Sequence, residues 1–328
     1  MSIFENILVR TGNAIMKLRR ALIIILVLAL VSAIVYFVLK ARDRFRGTSF
    51  SAIIDADTGN GLSDIFAISR VLADPGIKVI GLTAAQWNQN PQGISETVYF
   101  SQALNDSLLI HFKKASLPHF PGGETMIGFG SDIVVTPSEA SEFIIKKANE
   151  ASLANKLNII TLGSLTNLAT AILSDSSIVP KLRVYSLAMR FDPATKVWNK
   201  NELNARNDLD ALDLVLNTKN LEIHFMPVTI SRDLSIGEDE INNNLKEKDE
   251  PWNFIFSRYQ DKFSGESEYG IPEVALIEAL KGSNYAKEEL VNVPPENGKR
   301  QVYVYTSVNK EFMKINFWKV INKSMPGN

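Results

Sequence analysis

Residues 53–67 read Ile53-Ile54-Asp55-Ala56-Asp57-Thr58-Gly59-Asn60-Gly61-Leu62-Ser63-Asp64-Ile65-Phe66-Ala67. A short β-branched apolar run stops at two carboxylates, Asp55 and Asp57. A turn rich in Gly and Asn follows, and an apolar-periodic segment begins near Ser63 and Asp64. Strand, acidic loop and helix in that order put ligand-binding groups at the carboxyl edge of a parallel sheet. Asp55, Asp57 and Asp64 gathered there repel one another unless a cation or a bound proton compensates.

On either side of this stretch the pattern alternates. Strands are predicted at 50–55, 77–83, 108–111, 157–161, 182–187, 221–226 and 302–306. Helices are predicted at 63–72, 94–104, from 137, from 168, and at 208–216, 252–263, 273–280 and 312–321. Repeated strand–loop–helix units with short connections imply an α/β fold, a mostly parallel open sheet covered by helices on both faces. Residues 114–134, carrying Gly122, Gly123, Gly128 and Gly130, are long enough for a functional loop. Residues 238–250 are polar and charged and read as a solvated helix and loop.

The composition narrows the chemistry. The 328 residues carry a formal charge of −1, which gives no reason to expect nucleic acid as a partner. The absence of cysteine excludes disulfides, thiolate metal sites and cysteine nucleophiles. The three histidines, His111, His119 and His224, are scattered in sequence, which disfavours a multi-histidine site and leaves an oxygen-only site for a hard cation open.

Residues 21–39 run without a charge and are rich in Leu, Ile and Val. At ~1.5 Å per residue they approach the ~30 Å of a bilayer core, so a single-pass membrane anchor is expected. A cleaved signal peptide is the rival reading, but Val31-Ser32-Ala33 is a mediocre cleavage site with apolar sequence beyond it. Arg10, Lys17, Arg19 and Arg20 precede the span, and Lys40, Arg42, Arg44 and Arg46 follow it. Flanking charge therefore leaves the orientation tied, with an extracytoplasmic domain slightly favoured. The expected organisation is a flank at 1–20, an anchor at 21–39 with the lipid bilayer as partner, a basic linker at 40–48 and a domain at 49–328.

Residues 54–64 resemble the amino-terminal fingerprint of the inosine/uridine-preferring nucleoside hydrolase family in its longer-looped form, D-T-D-x-G-N-D-x-D-D. Further pieces follow in the family's order. Gly81 to Asn88 resembles G-I-T-T-V-x-G-N, and Gly163-Ser164-Leu165-Thr166-Asn167-Leu168-Ala169 resembles G-P-L-T-N-L-A. Glu202-Leu203-Asn204 with Asp208 resembles E-F-N-x-x-x-D, and 301–318 resembles the closing strand and helix. Five pieces in order are far more specific than any one of them.

The resemblance implies hydrolysis of a ribonucleoside, or a related N-ribosyl compound, to sugar and base, assisted by calcium. It implies Asp57, Asp64 and the Leu162 main-chain carbonyl as metal ligands and Asp57 as base for the attacking water. Asn88, Glu202, Asn204 and Ser63 are implied at the sugar, and Asp55 behind them, fixing the loop. Three positions depart from the pattern. Gly61 replaces the acid usual in the longer-looped form. Ser63 stands where the first acid of the D-D pair is expected, and Pro272 where a metal-binding aspartate is expected, with Glu268 and Glu273 as nearby substitutes. A member that binds a nucleoside or sugar without turnover is therefore the alternative. A phosphotransferase is disfavoured, because no Gly-rich phosphate loop accompanies the acids. Thr166, Asn167 and Asp208 also read as turn and cap residues, Trp87 as a packing residue sooner than a platform for the base, and self-association stays open.

Overall fold

The computed structural model describes residues 50–91, 93–128, 135–262 and 265–323. The contacts divide the chain between Ser49 and Phe50. The anchor expected at 21–39 lies outside the described residues, and among these no helix is long and apolar enough to cross a membrane.

β1 (Phe50–Ala56) leads through the acidic loop into α1 (Leu62–Ala73) and then β2 (Ile77–Ala84). α2 (Thr97–His111), β3 (His119–Pro121), α3 (Glu139–Glu150), β4 (Leu157–Thr161), α4 (Thr166–Ser174) and β5 (Leu182–Leu187) follow. A hairpin of β6 (Arg190–Asp192) and β7 (Val197–Asn199) precedes α5 (Leu203–Asn207), α6 (Leu209–Asn217) and β8 (Glu222–Met226). The C-terminal part contains α7 (Val228–Ser231), β9 (Ser235–Gly237), α8 (Glu238–Leu245), α9 (Trp252–Lys262), β10 (Glu268–Gly270) and α10 (Pro272–Ala279). It closes with β11 (Ala286–Asn292), β12 (Gln301–Val308) and α11 (Lys310–Ile321).

The main sheet has eight strands in the order β11-β12-β8-β5-β4-β1-β2-β3. Every neighbouring pair in it is parallel except β11 with β12. β1 therefore sits inside the sheet, and its period-two side chains divide between two cores. Ala52, Ile54 and Ala56 face one that includes Phe66 of α1, Ile277 of α10 and Phe317 of α11. Ile53 faces the other, with Ile144 of α3, Leu168 of α4 and Leu212 of α6. Burial on both faces is why these strands read as nearly continuous apolar runs.

Two local readings change. Residues 108–111, expected as a strand, form the last turn of α2, because Leu108 and Leu109 continue its buried face. β11 was not expected: its Lys287-Glu288-Glu289 is charged, as suits an exposed antiparallel edge. The polar run at 238–250 holds as read, with a helix, α8, over 238–245 and a loop beyond it; Glu238, Asp239 and Glu240 occupy the first turn.

Candidate active site

The carboxyl ends of β1, β4 and β5 converge, and the acidic loop lies across them. The β1 edge is extended by Leu162 N–H donating to Asp55 C=O at 2.8 Å and Ala85 N–H donating to Ala56 C=O at 2.9 Å. A tight turn then carries the chain into α1, with Asn60 N–H donating to Asp57 C=O at 2.8 Å and Asn60 Nδ2 to Asp57 Oδ2 at 2.9 Å. Thr58 Oγ1 donates to Asn105 Oδ1 of α2 at 2.6 Å. At Gly59 the backbone passes so close to α2 that a Cβ would lie 3.2 Å from Ser101 N. Asp64 falls in the first turn of α1, where the helix N-terminus favours a negative charge.

Asp55, Asp57 and Asp64 are all buried. Asp55 is clamped, accepting from Thr83 Oγ1 at 2.7 Å and from Asn167 Nδ2 at 2.8 Å. Burial raises its pKa to about 6 against the lowering effect of those two bonds. Asp57 is raised to about 8 by burial and then by the charge of Glu273, with Asn60 opposing. Asp64 is pushed well above the carboxylate range by burial, then by Asp57 and Glu273. Its Oδ1 has no hydrogen-bond partner among the described residues, and neither has Asp55 Oδ2.

Glu273 is the acid that the sequence left undecided. It comes from the first turn of α10, which packs on α1, and its Oε2 accepts a hydrogen bond from Ser63 Oγ. Glu273 is half-buried. Burial raises it to about 7, with Ser63 opposing and Glu202 reinforcing. Glu268 instead accepts from Ser235 Oγ at 2.5 Å on an exposed surface.

The other expected residues fall into two groups. Asn204 Nδ2 donates to Leu162 C=O at 2.6 Å and to Leu187 C=O at 3.0 Å, pinning β4 to β5 beside Asp57. Glu202 caps α5, its two oxygens accepting from the N–H groups of Asn204, Ala205 and Met189, each at 3.1 Å. Gly163 leaves room for Asp57: a Cβ there would lie 2.8 Å from Asp57 Oδ1. Asn88 is exposed, its Nδ2 donating to Glu124 C=O and its Oδ1 accepting from Thr97, both at 2.6 Å. Trp87 is buried, with Nε1 3.1 Å from Ser101 Oγ. Asp208 caps α6 through Ala211 N–H and also accepts from Thr166 Oγ1 at 2.8 Å. His111 stacks on Phe254 and faces Glu250, while His119 faces Asp106. Asn167, a turn or cap residue by its place in the sequence, orders Asp55 with its amide. Only the tertiary approach of α4 to β1 reveals that role.

An α/β sheet with buried, mutually repelling carboxylates at the carboxyl edge of a central strand defines a class: a small-molecule site designed around polar, oxygen-only chemistry. The description "inosine-uridine preferring nucleoside hydrolase" belongs to a family model that matches residues 52–312, and the chain belongs to that family. It is 26% identical over 219 residues to a protein named probable uridine nucleosidase 2 of Oryza sativa subsp. japonica, covering 59% of this chain and 61% of the relative. It is also 26% identical over 200 residues to uridine nucleosidase 1 of Arabidopsis thaliana, covering 56% of this chain and 59% of the relative. The chain thus spans about three fifths of these curated relatives. Among solved structures, an inosine-guanosine nucleoside hydrolase superposes with a TM-score of 0.66 at 19% identity, over 84% of this chain and 99% of that one. An inosine-uridine preferring nucleoside hydrolase of Bacillus anthracis gives 0.60 at 16%, over 84% and 99%. At such identities the structures establish the fold.

The family is metal-dependent. Among the described residues no three His, Cys, Asp or Glu side chains stand as a ready-made metal cage. The donor chemistry nonetheless fits a hard cation: oxygen only, crowded with negative charge, and with Asp64 Oδ1 unpartnered. None of the ion pairs among the described residues involves Asp57, Asp64, Glu202 or Glu273.

Proposed function

We propose that the domain is an N-glycosidase that hydrolyses a ribonucleoside, or a related N-ribosyl compound, to sugar and base. The observation that carries this reading is the buried Asp57 at the end of β1, packed against Gly163 next to the Leu162 carbonyl that Asn204 holds, with Asp64 buried in the helix turn that follows. Family membership supplies the reaction class.

Asp57 acts as general base. It takes a proton from water as the water oxygen forms a bond to the anomeric carbon and the carbon–nitrogen bond breaks through an oxocarbenium-like state. The departing base keeps the electron pair and takes up a proton from solvent, and Asp57 returns its own proton to solvent as the products leave. Asp55, fixed by Thr83 and Asn167, holds the end of β1 in place, and Asn204 and Glu202 hold the ends of β4 and β5. Ser63 offers its hydroxyl oxygen to the sugar, and Asn88, whose amide is engaged by Glu124 C=O and Thr97, ties the segment after β2 to the start of α2. A calcium ion held by Asp57, Asp64 and the Leu162 carbonyl would supply positive charge that offsets the acids and polarises the sugar hydroxyls.

Residues 21–39 are proposed to anchor the chain in a bilayer, on the strength of their uncharged apolar run. Alkaline extraction of membranes tests this, since release of the full-length chain would overturn it. The enzymatic test uses the full-length chain in detergent, offered purine and pyrimidine ribonucleosides with calcium present. Release of free ribose, abolished by Asp57→Asn, is expected. No release from any of them would overturn the hydrolase reading.

A further inference from the structure

We infer that Glu273 and Ser63 work as a pair in the divalent-cation site, Glu273 supplying a carboxylate oxygen and Ser63 holding it in position. The inference rests on the calcium reading above and assigns that site a residue which the family pattern does not.

The two residues lie 210 positions apart, and their hydrogen bond exists only because α10 packs on α1. Pro272 opens α10, its fixed φ suiting the first helical position, and so places Glu273 in the first turn. The carboxylate accepts from Ser63, the neighbour of Asp64 in the first turn of α1, so the bond brings it to the helix end that carries Asp64. Asp64 is 3% exposed and its Oδ1 has no partner among the described residues, so one carboxylate oxygen is already committed to this pocket and unsatisfied.

The charge arithmetic explains the serine. An aspartate at position 63 would set another negative charge directly against Glu273, whereas the Ser63 hydroxyl donates to it. The acid expected on the α1 side is thus missing, while α10 provides one a single position after Pro272. Calcium suits such a set better than magnesium. It accepts irregular shells mixing carboxylates, carbonyls and hydroxyls, whereas magnesium demands a near-ideal octahedron.

The test is calorimetric titration of the full-length chain in detergent with calcium chloride, repeated with magnesium chloride and paired with thermal melts. Glu273→Gln should weaken calcium binding about tenfold or more and remove the calcium-induced rise in melting temperature, with the circular dichroism spectrum unchanged. Ser63→Ala should weaken it less. Ser63→Asp should weaken it in the wild-type background and restore it when combined with Glu273→Gln. Glu268→Gln should leave it unchanged. If the wild type binds calcium and Glu273→Gln binds it equally well, the pair is refuted and the calcium reading stands. If the wild type binds neither cation, both fall. Ribose release in the presence of a chelator then shows whether hydrolysis survives without them.

Discussion

Asn167 Nδ2 donates to Asp55 Oδ1 at 2.8 Å, joining the first turn of α4 to the end of β1 across 112 residues. The same amide donates to Ala84 C=O at 3.0 Å, and its oxygen accepts from Gly123 N–H at 2.9 Å. One buried side chain therefore ties β1, β2 and the glycine-bearing loop together. Asn167→Ala strands these partners without water, at about 1–3 kcal/mol for each group left unsatisfied. The expected loss is about 2–4 kcal/mol, read as a lower urea midpoint with an unchanged slope. A midpoint equal to the wild type would show that the clamp contributes nothing.

Gly163 tests how tightly Asp57 is held. A methyl group at this position would overlap Asp57 Oδ1 at 2.8 Å and crowd its Cβ at 3.0 Å. Because Asp57 is buried, it cannot swing into solvent to make room. Gly163→Ala should lower kcat for nucleoside hydrolysis about 100-fold, since displacing a reacting group by an ångström costs about that much. Stability should fall by only about 1–3 kcal/mol, the ordinary cost of overpacking. Full turnover by a folded Gly163→Ala protein would show that Asp57 need not sit where the structure places it.

Legibility differed between the fold and the site for a physical reason. β1, its acidic turn and α1 were readable because period-two burial, turn residues and helical periodicity are all local signals. Residues 108–111 misled because a short apolar run has no period of its own. Lys287 to Glu289 hid β11, because an edge strand keeps one side in water and needs no apolar alternation. At the site, Asp55, Asp57 and Asp64 were visible as a cluster because they lie within ten residues of one another. Glu273 could be named only as one of two substitutes. What separates it from Glu268 is the packing of α10 on α1, which nothing in residues 268–273 encodes by itself.

Arg70 gives a prediction about stability away from the site. Its side chain is fully buried, with Nε 2.6 Å from Glu278 Oε1 and Nη1 2.6 Å from Asp74 Oδ2. Removing Glu278 leaves half of that charge uncompensated in the core between α1 and α10. Glu278→Leu should therefore cost about 3–5 kcal/mol, whereas the double variant Arg70→Met/Glu278→Leu should recover much of the loss. Denaturant unfolding of both variants measures this. Equal losses in the two would mean that packing, and not the stranded guanidinium, sets the cost.

Asp74 makes the same network sensitive to acid. Burial alone would raise its pKa, but hydrogen bonds from Lys281 and Arg70, the Arg70 charge and the Gly76 N–H together lower it to about 2. The group therefore binds its proton more weakly when folded than when unfolded, where its pKa is 3.8. Its contribution, about 2 kcal/mol at 1.36 kcal/mol per pKa unit, is complete above pH 4 and is lost as the pH falls toward 2. Asp74→Asn removes that titration. The stability difference between wild type and variant should be widest at neutral pH, hold steady down to about pH 4, and shrink by about 2 kcal/mol between pH 4 and 2. Chemical unfolding at a series of pH values reads it directly. A difference that stays constant through that window would mean that Asp74 does not titrate in the folded protein as its partners require.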